Sequence, residues 1–323
     1  MKKVLFATTA LVAFAGAAAA DVAVTGSAEM GVVGGDGMQT QFHTDIDVTF
    51  TMTGETDGGI TFGAAVDLDE STIADTAGGG STNGAFGNDA DDGGVAIFIS
   101  GDFGTLTMGD TDGAFDAALQ EVAVGAGTIA DNETAHGGYN GNAGFDGDYD
   151  GQILSYSYSF SGFTIIGSVE IDDTGVGDAI YGIGGRYTFD FSGGSATVGI
   201  GYQNRPGLFG NDGNLFGVSA DVNLDAGVRV VVNYSEGDTD LGGVDETHFA
   251  IGGSYTFDAF TIAANYGMYE EGANEDSGYG LAAQYDLGGG LTAHLGYGDT
   301  TCGGVFAGCS AGANWSFGVA MSF

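Results

Sequence analysis

Basic residues are nearly missing: the 323-residue chain carries 5 Lys and Arg against 44 Asp and Glu, a formal net charge of −39 at pH 7. Nucleic-acid binding is thereby excluded, because neutralising phosphates takes Lys and Arg. Proline occurs once beside 64 glycines. Without proline and without a three-residue period this glycine is not that of collagen, and a chain that is 43% apolar is not a disordered polymer. Long apolar runs are missing as well. The stretch from Val4 to Ala15 is shorter than the ~20 residues of a membrane-spanning helix. It lies between Met1-Lys2-Lys3 and the small residues Gly16 to Ala20, the order of a secretory signal peptide, which predicts cleavage after Ala20. Any membrane-embedded structure must therefore be β, in a mature domain of residues 21–323. Removal of Lys2 and Lys3 leaves three basic residues, all Arg, against the 44 acidic ones, a formal charge of −41. Cys302 and Cys309 are the only cysteines, and in an exported chain they predict a local disulfide.

What is present is one pattern repeated to the end. Segments of about ten residues alternate apolar with small or polar side chains, as in Ile60, Phe62, Ala64, Val66 and Leu68 against Thr61, Gly63, Ala65 and Asp67. About sixteen such runs occur, and an even number of amphipathic strands is what a bacterial transmembrane antiparallel β-barrel requires. Their connections alternate between short turns, such as "SG" at 161–162 and "DA" at 258–259, and longer segments at about 35–40, 69–94, 112–151, 172–178, 204–213, 236–246, 269–276 and 298–312. Loops sorted onto two rims, with both termini on the short-turn rim, fit an outer-membrane barrel and not a soluble sandwich. Aromatic rings form two sets, Phe160, Phe163, Phe189, Phe191, Phe257, Phe260 and Phe323 near short turns, and Tyr202, Phe216, Tyr234, Phe249, Tyr266, Tyr279, Tyr297 and Trp315 near long loops. From Trp315 to Phe323 is roughly 26 Å of strand, about 20 Å of height once tilted, close to the ~25 Å apolar band of such barrels. The alternating apolar face of this last segment is thus expected to meet lipid.

Parity also sorts the charges. With Phe42, Ile46, Val48 and Phe50 turned to lipid, His43, Asp45 and Asp47 point into the lumen, and the same rule sends Glu29, Asp67, Glu170, Asp221, Arg186 and Arg229 inward. Arg in the lipid at mid-membrane would cost ~2–4 kcal/mol, so energy enforces this assignment. His43, His136, His248 and His294 are scattered without zinc spacing, no cysteine has a CxxC partner, and the glycine runs lack the Lys of a phosphate loop. No enzyme is expected, and no cofactor is required.

The stretches "DVAVTGSAEMGVV", "VTFTMTGETDGGITFGAAVDL", "ISGDFGTLTMGDTDGAFDAA" and "YDLGGGLTAHLGYGD", with the closing Phe, resemble the general diffusion porins of alphaproteobacteria. The resemblance spans the mature chain and implies a sixteen-stranded homotrimer in the outer membrane of a Gram-negative bacterium, passing small hydrophilic solutes and cations. It also implies that the third long connection folds into the barrel and narrows the pore. Members commonly place basic side chains on the wall opposite that loop, and here the sequence departs, since only three Arg remain.

The third connection is rich in carboxylates, with Asp110 at its root and Asp112, Asp116, Glu121, Asp131, Glu133, Asp146, Asp148 and Asp150 within it. Phe115, Leu119 and Val122 recur at helical spacing and predict a short helix over Ala114 to Ala123. A ledge of carboxylates in water favours cations. "DGDYDG" at 146–151 has the oxygen spacing and sixth-position Gly of a calcium loop but Ser157 where a Glu belongs, so it is no EF-hand, although Asp146, Asp148 and Asp150 are candidate calcium ligands. Glycine, aspartate and export also suit a secreted, acidic, calcium-binding β protein of the surface-layer or adhesin kind. Sorted loops and two aromatic girdles favour the channel.

Overall fold

The structure, a computed structural model, describes residues 21–71, 95–124, 127–131, 133–149, 151–172, 174–207, 212–238 and 245–323. The expected signal peptide and Asp150 lie outside these residues. Sixteen antiparallel strands close into one barrel, each bonded to its neighbours in sequence, with the first strand (β1, Asp21–Gly35) joined to the last (β16, Gly312–Ser322). Between them run β2 (Met38–Glu55), β3 (Thr61–Ser71), β4 (Val95–Gly101), β5 (Gly104–Gly109), β6 (Ile153–Phe160), β7 (Phe163–Glu170), β8 (Ile180–Phe191) and β9 (Gly194–Arg205). They continue as β10 (Gly213–Leu224), β11 (Val228–Asp238), β12 (Asp245–Phe257), β13 (Phe260–Glu271), β14 (Asn274–Gly288) and β15 (Leu291–Thr301). Closure leaves no sheet edge, as a strand in hydrocarbon must have.

The outward rows are apolar and exposed, for example Ile183, Ile200, Val218, Ile251, Leu281, Leu295 and Phe317. Register aligns the upper aromatic girdle, because Tyr202 faces Phe216, Tyr234 faces Phe249, Tyr266 faces Tyr279 and Tyr297 faces Trp315. At the short-turn rim Phe160, Phe163, Tyr187 and Phe189 stack in succession, as do Tyr255, Phe257 and Phe260, with Tyr285 tilted against Phe260. Phe323 is 80% exposed, and its N–H donates to the Gly26 carbonyl at 2.9 Å, which pins the terminus to the rim.

Two connections expected to be long are tight turns. β1 and β2 are joined by Asp36-Gly37, and β13 and β14 by Gly272-Ala273, with Gly37 at φ 78° and Gly272 at φ 63°, a region that favours glycine. The strands simply continue up to the turn there. Cys302 and Cys309 are bonded, as the sequence predicts. The enclosed loop is organised by Asp276, fully buried on β14, whose carboxylate accepts the N–H groups of Gly303, Gly304, Val305 and Phe306.

Candidate functional site: the lumen and its inner band

The connection between β5 and β6 lies along the inside of the wall. Its helix α1 (Ala114–Ala118) packs on β7, β8 and β9. From there the chain passes β10 at Leu119, β12 at Val122 and Val124, and β16 and β1 at Ile129, then returns over β14, β13 and β10 to β6. Glycines on the inward rows make the room. A Cβ on Gly184 would stand 2.3 Å from the Ala114 carbonyl oxygen, one on Gly199 would stand 2.1 Å from that of Ala118, and one on Gly267 would stand 1.9 Å from that of Gly138. Gly217, Gly252, Gly296 and Gly318 meet band side chains at similarly forbidden distances. Backbone thus lies almost on backbone, which any larger inward residue would prevent.

An irregular segment with buried backbone needs hydrogen-bond partners, and the wall supplies them. Ser168 Oγ accepts the Ala114 N–H at 2.8 Å and Ser219 Oγ accepts that of Gln120 at 2.8 Å. Asn233 donates to the Gln120 carbonyl at 2.9 Å, and Asn265 to those of Val122 and Thr134 at 3.2 and 2.7 Å. His248 Nε2 lies 3.1 Å from the Gly138 carbonyl and His294 Nδ1 lies 2.8 Å from that of Gly127. This explains why the predicted helix ends early. Beyond Ala118 the backbone is extended, with Leu119 at φ −91° and ψ 161°, because wall side chains replace the helical partners of Gln120 and Val122. Phe115, Leu119 and Val122 are nonetheless all buried, the first two with Phe145, Ile180 and Leu215, the third with Val124, Val231 and Ala250.

A closed sixteen-strand barrel with an apolar outside and a polar inside is a fold with few uses, and the comparisons with known proteins agree with its shape. The Gram-negative porin family matches residues 7–302. The chain belongs to that family. A porin of Rhodobacter capsulatus is 28% identical over 303 residues, covering 84% of this chain and 92% of its own. Among solved structures, a porin refined at 1.8 Å resolution superposes with a TM-score of 0.69 at 23% identity, over 94% of this chain and 100% of its own. A mutant porin of Rh. blastica gives 0.67 at 20% identity over the same shares. The protein is therefore a general diffusion channel of the Gram-negative outer membrane.

In this porin the sequence-predicted site residues fall into two groups. Asp110, Asp112 and Asp131 are exposed on the band, with Asp116 and Glu121 half-buried, and on the wall Glu29, Asp45, Asp47 and Asp67 are half-buried. Ser27 donates to Asp47 at 2.6 Å and Thr49 to Asp67 at 2.9 Å, while Glu29 lies 3.7 Å from His43 Nε2. The second group meets the band, with Glu170 and Asp221 buried, Arg229 half-buried and Arg186 exposed. Glu170, 2% exposed, accepts the N–H groups of Gly147, Tyr149 and Gly151. Asp221 pairs with Arg229 at 3.0 Å, and Arg229 also reaches the Ala123 carbonyl. Arg186 donates to the Ala117 carbonyl at 3.2 Å.

Of the candidate calcium ligands, Asp146 and Asp148 are engaged with the protein itself. Asp146 accepts from the Gly113 N–H at 2.8 Å and from Gln203 at 2.6 Å, and Asp148 pairs with Arg205. Among the described residues no group of three or more His, Cys, Asp or Glu could hold a metal ion.

Burial sets the proton affinities along the band. Asp116 is pushed up to about 8, by burial first and then by the charges of Asp112, Glu121 and Asp146. Asp146 rises to about 6 through burial, against the opposing bonds from Gly113 and Gln203. His136 falls to about 4, also through burial. Sequence reasoning missed the seat residues Ser168, Gln203, Ser219, Asn233 and Asn265. Their signal was an inward polar residue two positions from an inward glycine, as in Gly201 with Gln203, Gly217 with Ser219 and Asn265 with Gly267.

Proposed function

We propose that the inner band narrows this channel to a constriction bordered by carboxylates on both sides, so that small cations and neutral hydrophilic solutes pass in preference to anions. The observation that carries the reading is the distribution of charge. Asp110, Asp112, Glu121 and Asp131 on the band stand with Glu29, Asp45, Asp47 and Asp67 on the wall, whereas Arg205 and Arg229 are each paired to a carboxylate. Exposed charge is screened over ~8 Å at physiological salt, so only carboxylates near the narrowest section act strongly on a passing ion. Transport is passive, with no chemical step. The working assembly is a trimer in the lipid bilayer, with the small lipid-facing residues Gly26 and Ala28 allowing walls to approach, and chemical cross-linking that stops at the monomer would remove that part.

The decisive experiment is the reversal potential of single channels in a potassium chloride gradient. Cation preference is expected, falling as salt rises. Joint replacement of Asp110, Asp112 and Asp116 by Asn should lower the permeability ratio, and neutralising Asp238, Asp245 and Glu246 at the long-loop ends of β11 and β12 should leave it almost unchanged. Anion preference in the native channel, or equal effects of the two triple variants, would defeat the reading.

A further inference from the structure

The mature chain has three Arg, and each of them ends on the inner band. Arg186 on β8 donates from Nη1 to the carbonyl of Ala117, at the end of α1. Arg205 on β9 pairs with Asp148 on the returning limb, and its guanidinium lies 4.3 Å from the centre of the Phe145 ring. Arg229 on β11 is held by Asp221 on β10, Nε to both carboxylate oxygens at 3.2 Å and Nη2 to Oδ2 at 3.0 Å. That leaves Nη1, which points to the Ala123 carbonyl at 3.4 Å. Asp221 is itself 7% exposed and fixed by Asn223 at 3.0 Å, so the pair is a rigid fork built on two neighbouring strands. Ala123 is the exposed residue between Val122 and Val124, which are buried against Gly252. The fork therefore grips the band where it crosses from α1 toward the far wall.

We infer that the arginines of this porin, Arg229 aimed by Asp221 foremost, are positioning residues that fix the band, and that they set the size and steadiness of the opening more than its charge. This rests on the band forming the constriction. A point-charge role and a positioning role differ in what lysine can do. Lysine keeps the charge at residue 229, but its compact ammonium cannot hold both oxygens of Asp221 and a carbonyl in fixed directions.

The test compares Arg229→Lys, Arg229→Ala and Asp221→Asn in the full chain, with retention of the folded barrel checked by its heat-dependent mobility in detergent gels. Two readouts are taken, amide hydrogen exchange of residues 119–124 and single-channel conductance with its open-state noise. Positioning expects exchange in that segment to rise by about tenfold or more in all three variants, the size of one lost charge-assisted bond. Noise should rise with it, and Arg229→Lys should resemble Arg229→Ala. Faster exchange with unchanged conductance and noise would keep the anchoring role but show that the band is not the constriction. An Arg229→Lys channel that matches the native one in exchange and noise, with only Arg229→Ala shifting the reversal potential, would overturn the inference in favour of a simple charge effect.

Discussion

Adding a single methyl group tests the glycine seat at its tightest point. A Cβ on Gly267 would stand 1.9 Å from the Gly138 carbonyl oxygen, so that oxygen must retreat by about 1.5 Å to reach ordinary contact distance. Its surroundings cannot follow. His248 Nε2 is 3.1 Å from this same oxygen, the Tyr269 hydroxyl is 3.2 Å from the Tyr139 carbonyl, and the Gly137 N–H is bonded to Thr300 Oγ1 at 3.0 Å. A retreat of that size takes such bonds past hydrogen-bonding range. At ~0.5–1.5 kcal/mol net for each of the three, roughly 1.5–4.5 kcal/mol is lost from the seating of residues 136–140. The ladder of β13 with β12 and β14 is untouched. Gly267→Ala is therefore expected to lower mean single-channel conductance and raise open-state noise, because the band is displaced toward the pore axis, with no loss of heat resistance in detergent gels. Gly253→Ala is the control. Its Cβ would lie on the lipid side, 3.3 Å from the Arg229 carbonyl oxygen and 3.9 Å from Val230 Cγ2, far from any band atom. Native behaviour of Gly267→Ala, or equal damage from both variants, would show that inward glycine does not seat the band.

Asp116 is expected to ionise as pH climbs through about 8, so the cation-to-anion permeability ratio should rise between about pH 7 and pH 9, and Asp116→Asn should flatten that rise. Because its folded-state value is raised, the seating of α1 is fully supported below the ordinary value of 3.8 and is lost as pH rises from there through about 8, which amide exchange of residues 114–118 would record. His136 has the opposite sign: its proton affinity is lowered to about 4, so its contribution is complete above the ordinary value of 6.5 and is lost as pH falls toward 4, where open-state noise should increase. Reduction of the Cys302–Cys309 bond opens only a short loop, so the expected loss is ~2–4 kcal/mol or less and shows as faster proteolysis within residues 302–311, with the barrel still resistant to heat.

The barrel was legible because two boundaries imposed it. Lipid outside and water inside force a period of two, and the interfaces collect rings, so strand number, terminal rim and both girdles follow from the residues alone. Inside the barrel no second solvent exists to impose a pattern. Phe115, Leu119 and Val122 have the spacing of a helix and are buried as one face would be, yet only Ala114–Ala118 is helical. Side chains from β10, β11 and β13 complete the backbone of the rest, and those partners are about 100 positions away or more. The same distance hides the work of Glu170, Asp221 and the arginines. Parity places them on the inner face correctly, but whether an inward carboxylate meets water or a loop N–H depends on where residues 113–149 run. Inward glycine is likewise unreadable as a seat until something is seen to rest on it.

An acidic band against an acidic wall raises a question of cohesion, and its answer yields a test. With a formal net charge of −39, long-range electrostatics push the band inward from the carboxylates around it. What holds it is short-ranged: apolar contacts such as Val122 and Val124 with Val231 and Ala250, and hydrogen bonds with Ser219, Asn233, Asn265, His294 and Arg229. Ion pairs across the seam are few, Arg205 with Asp148 being the clear case. Repulsion reaches ~30 Å at 0.01 M salt and only ~3 Å at 1 M, whereas apolar and neutral contacts hardly depend on salt. The band should therefore sit more firmly as salt rises. Open-state noise, scaled to conductance, is expected to fall between about 0.05 M and 1 M potassium chloride, and amide exchange of residues 119–124 should slow in parallel. A channel fastened mainly by ion pairs would behave in the opposite way, since screening would loosen it. Noise that grows with salt would mean that the Arg205–Asp148 pair carries the seam and that its other contacts are secondary.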